Sequence, residues 1–296
     1  LNIESPNFAK PCSLGITNYS ESILRKKIME YNNFRIAVPT AFEEVFTHFY
    51  FAENKSNEII TKTLLPSYQT ILIFNFGTKP YFHSKQNTQI EVERCLMIGP
   101  VKQAIDYSLP PNAEILTVNF KDDAFFRFFG SSYIAEHLPI NPDDLLNEDC
   151  FTILWHELVK IKNINDKVNH ILKFSEPYLL HRNKIAEQLA NFREQALNPI
   201  KSVANENCQS ERNIQLSHKK YFGYSAKELN RYQRFLKTIE LIQSLASNNS
   251  KIDWFEIISE CGYYDQSQLI HDFKHYINLS PSKYLKFQQD VCNSIS

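Results

Sequence analysis

The chain has 296 residues, 43% of them hydrophobic and 13% aromatic, with a formal net charge of −1. This is enough for two domains with substantial cores, and no apolar run approaches the ~20 residues a membrane-spanning helix needs. Six scattered cysteines with no Cys-x-x-Cys pair, and no secretory leader pattern, argue against a disulfide framework or a zinc knuckle and point to a soluble protein of the reducing cytoplasm.

Residues 1 to about 35 read as polar and irregular, with a short helix around SESILRKKIMEY, and residues 1–40 are taken as an N-terminal extension. From residue 41 the pattern turns to β. The segments FEEVFTHFYFA, EIITKTLL, QTILIFNFG, QIEVERCLMIG, QAIDYSL and AEILTVNF are rich in Ile, Val, Phe, Tyr and Thr, and are separated by LPS, GTKP, GPVK and LPPN. Short strands at this spacing predict a barrel or sandwich over 41–130. Its aromatics (Phe46, Phe49, Tyr50, Phe51, Phe74, Phe76, Tyr81 and Phe82) either build the core or line a small-molecule pocket.

After Lys121 the pattern becomes helical. DDAFFRFFG opens on acids and closes on Gly130, the expected order for a helix. Residues 131–182 form a helical linker, with segments around FTILWHELVKI and DKVNHILKFSEPYLLHR. In the second, Val168, Ile171 and Leu172, continued by Leu179 and Leu180, make an apolar stripe for the chain's own barrel or for a second subunit.

Residues 183–290 carry a degenerate repeat of period 55, followed by a tail at 291–296. Ser210 falls on Asp265, both helix N-caps; Ile214 falls on Leu269, Lys219 on Lys274 and Tyr221 on Tyr276. Gly223 falls on Asn278, the types that best tolerate the left-handed helix end, and Ser225 falls on Ser280. Val203 and Ile258, in the short helices ahead of each unit, are also placed in register. The pattern predicts a first helix-turn-helix at 199–224, a connecting helix at 225–247 with Leu229, Tyr232, Leu236, Ile239 and Ile242 on its apolar face, and a second helix-turn-helix at 253–278. The connector would span about 30 Å, close to one turn of duplex DNA. The tail is only slightly basic, with 14 Lys+Arg against 12 Asp+Glu from Lys184 onward, which permits nucleic-acid binding without demanding it.

The stretch IISECGYYDQSQLIHDFKHYINLSPSKYL closely resembles the second helix-turn-helix signature of AraC/XylS-type transcription regulators, and SERNIQLSHKKYFGYSAKELNRYQRF resembles the first. Gly262, Tyr264, Asp265-Gln266-Ser267, Phe273-Lys274, Ser280-Pro281 and Tyr284 carry the likeness. CLMIGPVKQAIDYSLPPNAEILTVNFKDDAFFRFFG is similar to the barrel-to-helix passage of the cupin-like sensory domains of such regulators. The resemblance implies an α+β multidomain chain: an N-terminal cupin-like β-barrel for sensing or dimerisation, a helical linker, and a C-terminal all-α tandem helix-turn-helix domain.

It also implies base contacts from Arg212, Gln215 and Leu216 in the first unit and from Gln266, Ser267 and His271 in the second, with phosphates held by Lys219, Lys220, Lys274 and His275. The partners implied are double-stranded DNA and RNA polymerase, together with a small-molecule effector or a homodimer partner at the front; no membrane partner is expected. Two departures stand out. His218 occupies a position the family fills with an apolar or aromatic residue, which predicts looser packing of the first unit, and Leu216 and His271 stand where Arg is common.

Metal and catalytic readings find less support. His83 has no adjacent second His as a cupin metal site would require, and His271 with His275 lacks a third ligand. No nucleophile elbow or phosphate-cradling glycine loop appears, and the acids of DDAFF and PDDLL read as helix-start charges, so neither cofactor nor enzymatic activity is expected. The alternative from another class is a cupin-like enzyme or small-molecule-binding protein whose helical tail is a protein-interaction module.

Overall fold

Among the described residues nine strands form two antiparallel sheets, β1 (Tyr31–Ile36), β2 (Phe46–Asn54), β9 (Glu114–Phe120), β4 (Ile71–Asn75) and β7 (Cys95–Ile98) in one, β3 (Ile60–Leu64), β8 (Ile105–Leu109), β5 (Tyr81–His83) and β6 (Gln89–Glu91) in the other, each in that spatial order. The structure is a computed structural model that describes residues 30–83, 89–131, 139–192, 198–247 and 252–286. By contacts the described chain divides into two compact units, one ending at Ala226 and the other beginning at Lys227.

The centre of the five-stranded sheet is buried on both faces, which explains the near-continuous apolar run of β4. Because side chains alternate, Ile71 and Ile73 of β4 pack with Ile115, Ile98, Leu109 and Phe82 between the sheets, whereas Leu72 and Phe74 face the helices with Leu116, Val118 and Phe120. The arrangement is a two-sheet β-barrel backed by helices. Phe46, Phe49, Phe51, Phe74 and Phe82 are buried core residues, and Tyr50, Phe76 and Tyr81 are half-buried around them.

Three strand expectations need correction. Tyr31–Ile36 belongs to the barrel rather than to an extension: its exposed, Asn-containing sequence has little intrinsic strand signal, and pairing with β2 supplies the order. QIEVERCLMIG is two strands in different sheets, β6 and β7, and Tyr81 and Phe82, counted among the strand aromatics, lie on a separate three-residue strand, β5, after Pro80. The helix expected around SESILRKKIMEY and the tail at 291–296 lie outside the described residues, except that Glu30 is helical and Tyr31 opens β1.

Four helices follow: α1 (Ala124–Phe129), α2 (Pro142–Leu146), α3 (Cys150–Leu158) and α4 (Ile164–Ser175). Gly130 closes α1 in the left-handed region at φ 71, as its place in the sequence predicts. Phe125, Phe128, Phe129, Phe151 and Leu154 join Val168, Ile171 and Leu172 of α4 against the sheet, so the stripe packs on its own barrel. Leu179 and Leu180 are not on that helix, because a 3-10 turn through Pro177 ends it; Leu180 is exposed.

The paired acids do more than start helices. Asp123 makes no cap hydrogen bond; it is 1% exposed and meets the Arg182 guanidinium at 2.8 Å. Asp143 reaches from α2 to the next helix, its carboxylate accepting from the Phe151 and Thr152 amides and the Thr152 hydroxyl at 2.7, 3.1 and 2.7 Å. It thereby satisfies free amides in the first turn of α3. Asp143→Ala should lower unfolding free energy by about 2 kcal/mol in urea titration, whereas loss of a solvated surface acid would cost less than ~0.5.

The remaining helices are α5 (Lys184–Asn191), α6 (Pro199–Glu206), α7 (Glu211–Phe222), α8 (Ala226–Ser247), α9 (Trp254–Cys261) and α10 (Gln266–Ile277), and a further helical run opens at 281–286. In the first unit Ile200, Val203, Ala204 and Ile214 form a small core lined by Ile185, Leu189 and Ala226. In the second, Tyr232, Leu236, Ile239 and Ile242 of α8 are buried, as are Ile257, Leu269, Phe273 and Tyr276, while Leu229 is half-buried. Phe235 meets Phe273 edge-on at 5.2 Å and Tyr276 at 4.7 Å. No described helix is long and apolar enough to cross a membrane.

Candidate nucleic-acid interface

Both helix-turn-helix units close as their sequences dictate. Ser210 accepts from the Asn213 amide at 3.2 Å at the start of α7, and Asp265 accepts from the Gln268 amide at 2.8 Å at the start of α10. The Gln268 side chain reaches back to the Tyr264 amide at 2.9 Å, one residue before the position a standard capping box would satisfy. Gly223 and Asn278 end the two helices in the left-handed region, at φ 79 and 56.

The repeat holds period 55 from the N-caps onward but not ahead of them. The left-handed residues of the two turns are Cys208 and Gly262, 54 apart, and the second turn has one more residue before its cap. The buried faces accordingly pair Val203 with Ile257, both at 1% exposure or less, and not with Ile258, which is half-buried. An inserted residue in a turn shifts the preceding helix by about 100° of register, which a single alignment of the two copies hides.

Arg212, Gln215, Leu216, Lys219 and Lys220 are exposed on α7, and Leu216 retains 61% of its surface. On α10, Gln266, Ser267, His271 and Lys274 are exposed, while His275 is half-buried with its ring 4.8 Å from that of Tyr276. The structure thus leaves both groups of candidate base readers at the surface. Lys220 leans elsewhere as well: its ammonium lies 5.6 Å from the Phe126 ring of α1.

His218 does not loosen the first unit. It is 5% exposed, its Nδ1 donates to the Tyr224 carbonyl at 2.8 Å, and its ring lies 4.7 Å from Phe222. The hydrogen bond satisfies the polar atom that burial would otherwise penalise. His83 is similarly occupied, 3.0 Å from the Ser108 hydroxyl.

The sequence reading missed the arginines of α8. Asp272, 1% exposed on α10, receives Arg231 Nε at 2.6 Å and Arg234 Nη2 at 2.8 Å. Arg231 also meets His271 Nδ1 at 2.8 Å. With Lys227, Asn230 and Gln268 these residues line an open groove of about 380 Å³ beside the candidate base-reading face. One signal was present: an acid on a helix expected to face phosphates calls for a cation, and its counterpart in the first copy is Ser217.

The first unit carries a contact of its own. Tyr221 of α7 sits edge-on to Phe126 at 4.9 Å, and Tyr224 edge-on to Tyr68 at 5.0 Å. Burial beside Asp122 and Asp123 raises the Tyr224 phenol pKa well above the ordinary tyrosine value. Helix α7 and the barrel therefore share packing.

Residues 247–286 match the family described as bacterial regulatory helix-turn-helix proteins, AraC family. Residues 247–286 therefore carry an AraC-type regulatory helix-turn-helix, C-terminal to the two-sheet domain. No curated protein matches it. Among solved structures it is similar to ToxT from Vibrio cholerae, at 14% identity over 88% of this chain and 98% of that one, with a TM-score of 0.36. It is also similar to ToxT from Vibrio cholerae O395 bound to (E)-4-(8-methylnaphthalen-1-yl)but-3-enoic acid, at 12% identity over 88% and 99%, TM-score 0.36. An RmlC-like cupin protein from Desulfovibrio desulfuricans is similar at 11% identity over 31% of this chain and 83% of that one, TM-score 0.24.

Proposed function

We propose that the protein is a sequence-specific, DNA-binding transcription regulator of the cytoplasm, controlled through its N-terminal domain. The observation that carries this reading is the second helix-turn-helix: a family-matched segment with buried Leu269, Phe273 and Tyr276 on one side and exposed Gln266, Ser267, His271 and Lys274 on the other. In this reading residues 183–290 act as a tandem module. Arg212, Gln215 and Leu216 join Gln266, Ser267 and His271 at base edges, and Lys219, Lys220, Lys274 and His275 hold phosphates.

Control is supported by the packing of α1 on α7. A small-molecule effector or a second copy acting on the barrel would bias α1, and the Phe126–Tyr221 contact passes that bias to the first recognition helix. RNA polymerase is the partner through which promoter occupancy would act.

Titration of labelled duplex against salt is the primary test. Affinity should fall along a log–log slope near −0.9 per neutralised phosphate, and an interaction module that ignores DNA would give no binding to titrate. In duplexes selected from a random pool, two short boxes about one helical turn apart are expected. Arg212→Ala or Gln266→Ala should relax preference at one base pair by about 1–3 kcal/mol; equal loss on every sequence would contradict base reading.

A further inference from the structure

Arg231 is held on three sides. Its Nε donates to Asp272, its guanidinium lies 5.6 Å from the Tyr276 ring, and Nη2 faces His271 Nδ1 at 2.8 Å. Asp272 is itself fixed by Arg234, whose guanidinium lies 4.4 Å from the Tyr263 ring. The geometry of this contact decides where the imidazole proton sits. A guanidinium offers five donors and no acceptor and does not deprotonate, so Nδ1 must be the acceptor and the single proton of the neutral ring resides on Nε2. A doubly protonated ring would set two donors against each other.

We infer that Arg231 is a specificity-determining residue: it locks His271 as the Nε2–H tautomer and so makes the free edge of an exposed, groove-facing ring a donor only. This rests on the reading of α10 as a base-reading helix. A donor in the major groove accepts guanine, with N7 and O6, and tolerates adenine N7 or thymine O4, but it meets only the N4 amino donor of cytosine. The device belongs to the second unit alone, because Leu216 and Ser217 stand at the corresponding places in the first. Asp272 and Arg234 act as positioning residues for Arg231.

Full-length protein labelled with ¹⁵N-histidine tests the tautomer directly through two-bond ¹H–¹⁵N correlation, with the His271 signals assigned by their loss in His271→Gln. Wild type should show an unprotonated Nδ1 and a protonated Nε2, and Arg231→Met should show mixed tautomers. That variant keeps Asp272 paired with Arg234; should it nevertheless fail to fold, Arg231→Lys retains the charge but cannot fork to both partners, and the same signals are read. On duplexes differing only at the base facing His271, cytosine should weaken wild-type binding about five- to tenfold, as expected for one lost hydrogen bond. Arg231→Met should compress that ratio to about twofold or less and leave the preference at the Gln266 position intact.

A protonated Nδ1 in wild type, or a tautomer ratio and base preference unmoved by both variants, would overturn the proposal. If wild type bound no duplex, the regulatory reading and the base selection would fall together, whereas an Arg231-dependent Nε2–H signal would still support the lock on His271.

Discussion

Arg182→Met is expected to lower the unfolding free energy of the first unit by about 3–5 kcal/mol, the cost of leaving a buried charge without its partner. Asp123 is 1% exposed and Arg182 10%, at 2.8 Å, and the Asp123 oxygens receive no well-aligned hydrogen bond among the described residues. The carboxylate is therefore held by charge, and it cannot turn to water when the cation is removed. Asp122, 3.5 Å from the same guanidinium, would lose its partner too; burial already raises its pKa against the pull of Arg182. Equilibrium urea unfolding measures the loss, and adding Asp123→Asn to the Met variant should recover most of it by removing the stranded charge. A cost below ~1 kcal/mol would mean that water reaches the pair. Because Asp123 precedes the helix whose Phe126 meets Tyr221, the substitution should also loosen α7.

Asp272→Ala should cost less, about 2 kcal/mol, although the carboxylate is equally buried. The difference lies in which partner is left behind. Removing Asp272 leaves Arg231 and Arg234, whose side chains keep 31% and 23% of their surface and can hydrate in place. The two tryptophans, Trp155 and Trp254, fall one in each unit, so fluorescence-detected unfolding resolves where the loss occurs. The midpoint reported by Trp254 should drop while that reported by Trp155 stays. Duplex binding should weaken beyond the loss in folded fraction, because α10 loses its attachment to α8. An unchanged Trp254 midpoint would show that the aromatic cluster of Phe235, Phe273 and Tyr276 positions α10 without the ion pairs.

The tandem repeat was legible because helix ends are local. Ser210 and Asp265 cap, and Gly223 and Asn278 close, through contacts spanning a few residues, and their spacing repeats in the sequence. The strands from Phe46 to Phe120 were legible for a similar reason: bulky β-branched and aromatic runs bounded by Pro and Asn leave few other solutions. Harder cases were those in which order is borrowed from a distant partner. β1 is a strand because β2 offers it hydrogen bonds, and QIEVERCLMIG divides because its two halves pair with different sheets. The extra residue in the second turn was hidden because the N-caps, the stronger signals, all lie on one side of it.

By itself, then, the sequence determined where helices start and stop, which faces are apolar, that two similar modules follow a β-rich domain, and which polar residues stand on their exposed faces. Only the tertiary structure decided which ionisable groups meet: Asp123 with Arg182, Asp272 with Arg231 and Arg234, and Arg231 with His271, across separations of 38 to 59 residues. Local propensity acts within a turn or two of helix and leaves a mark on neighbouring residues. Charge pairing and burial depend on distances that exist only once the chain has folded, and so leave no comparable periodicity to read.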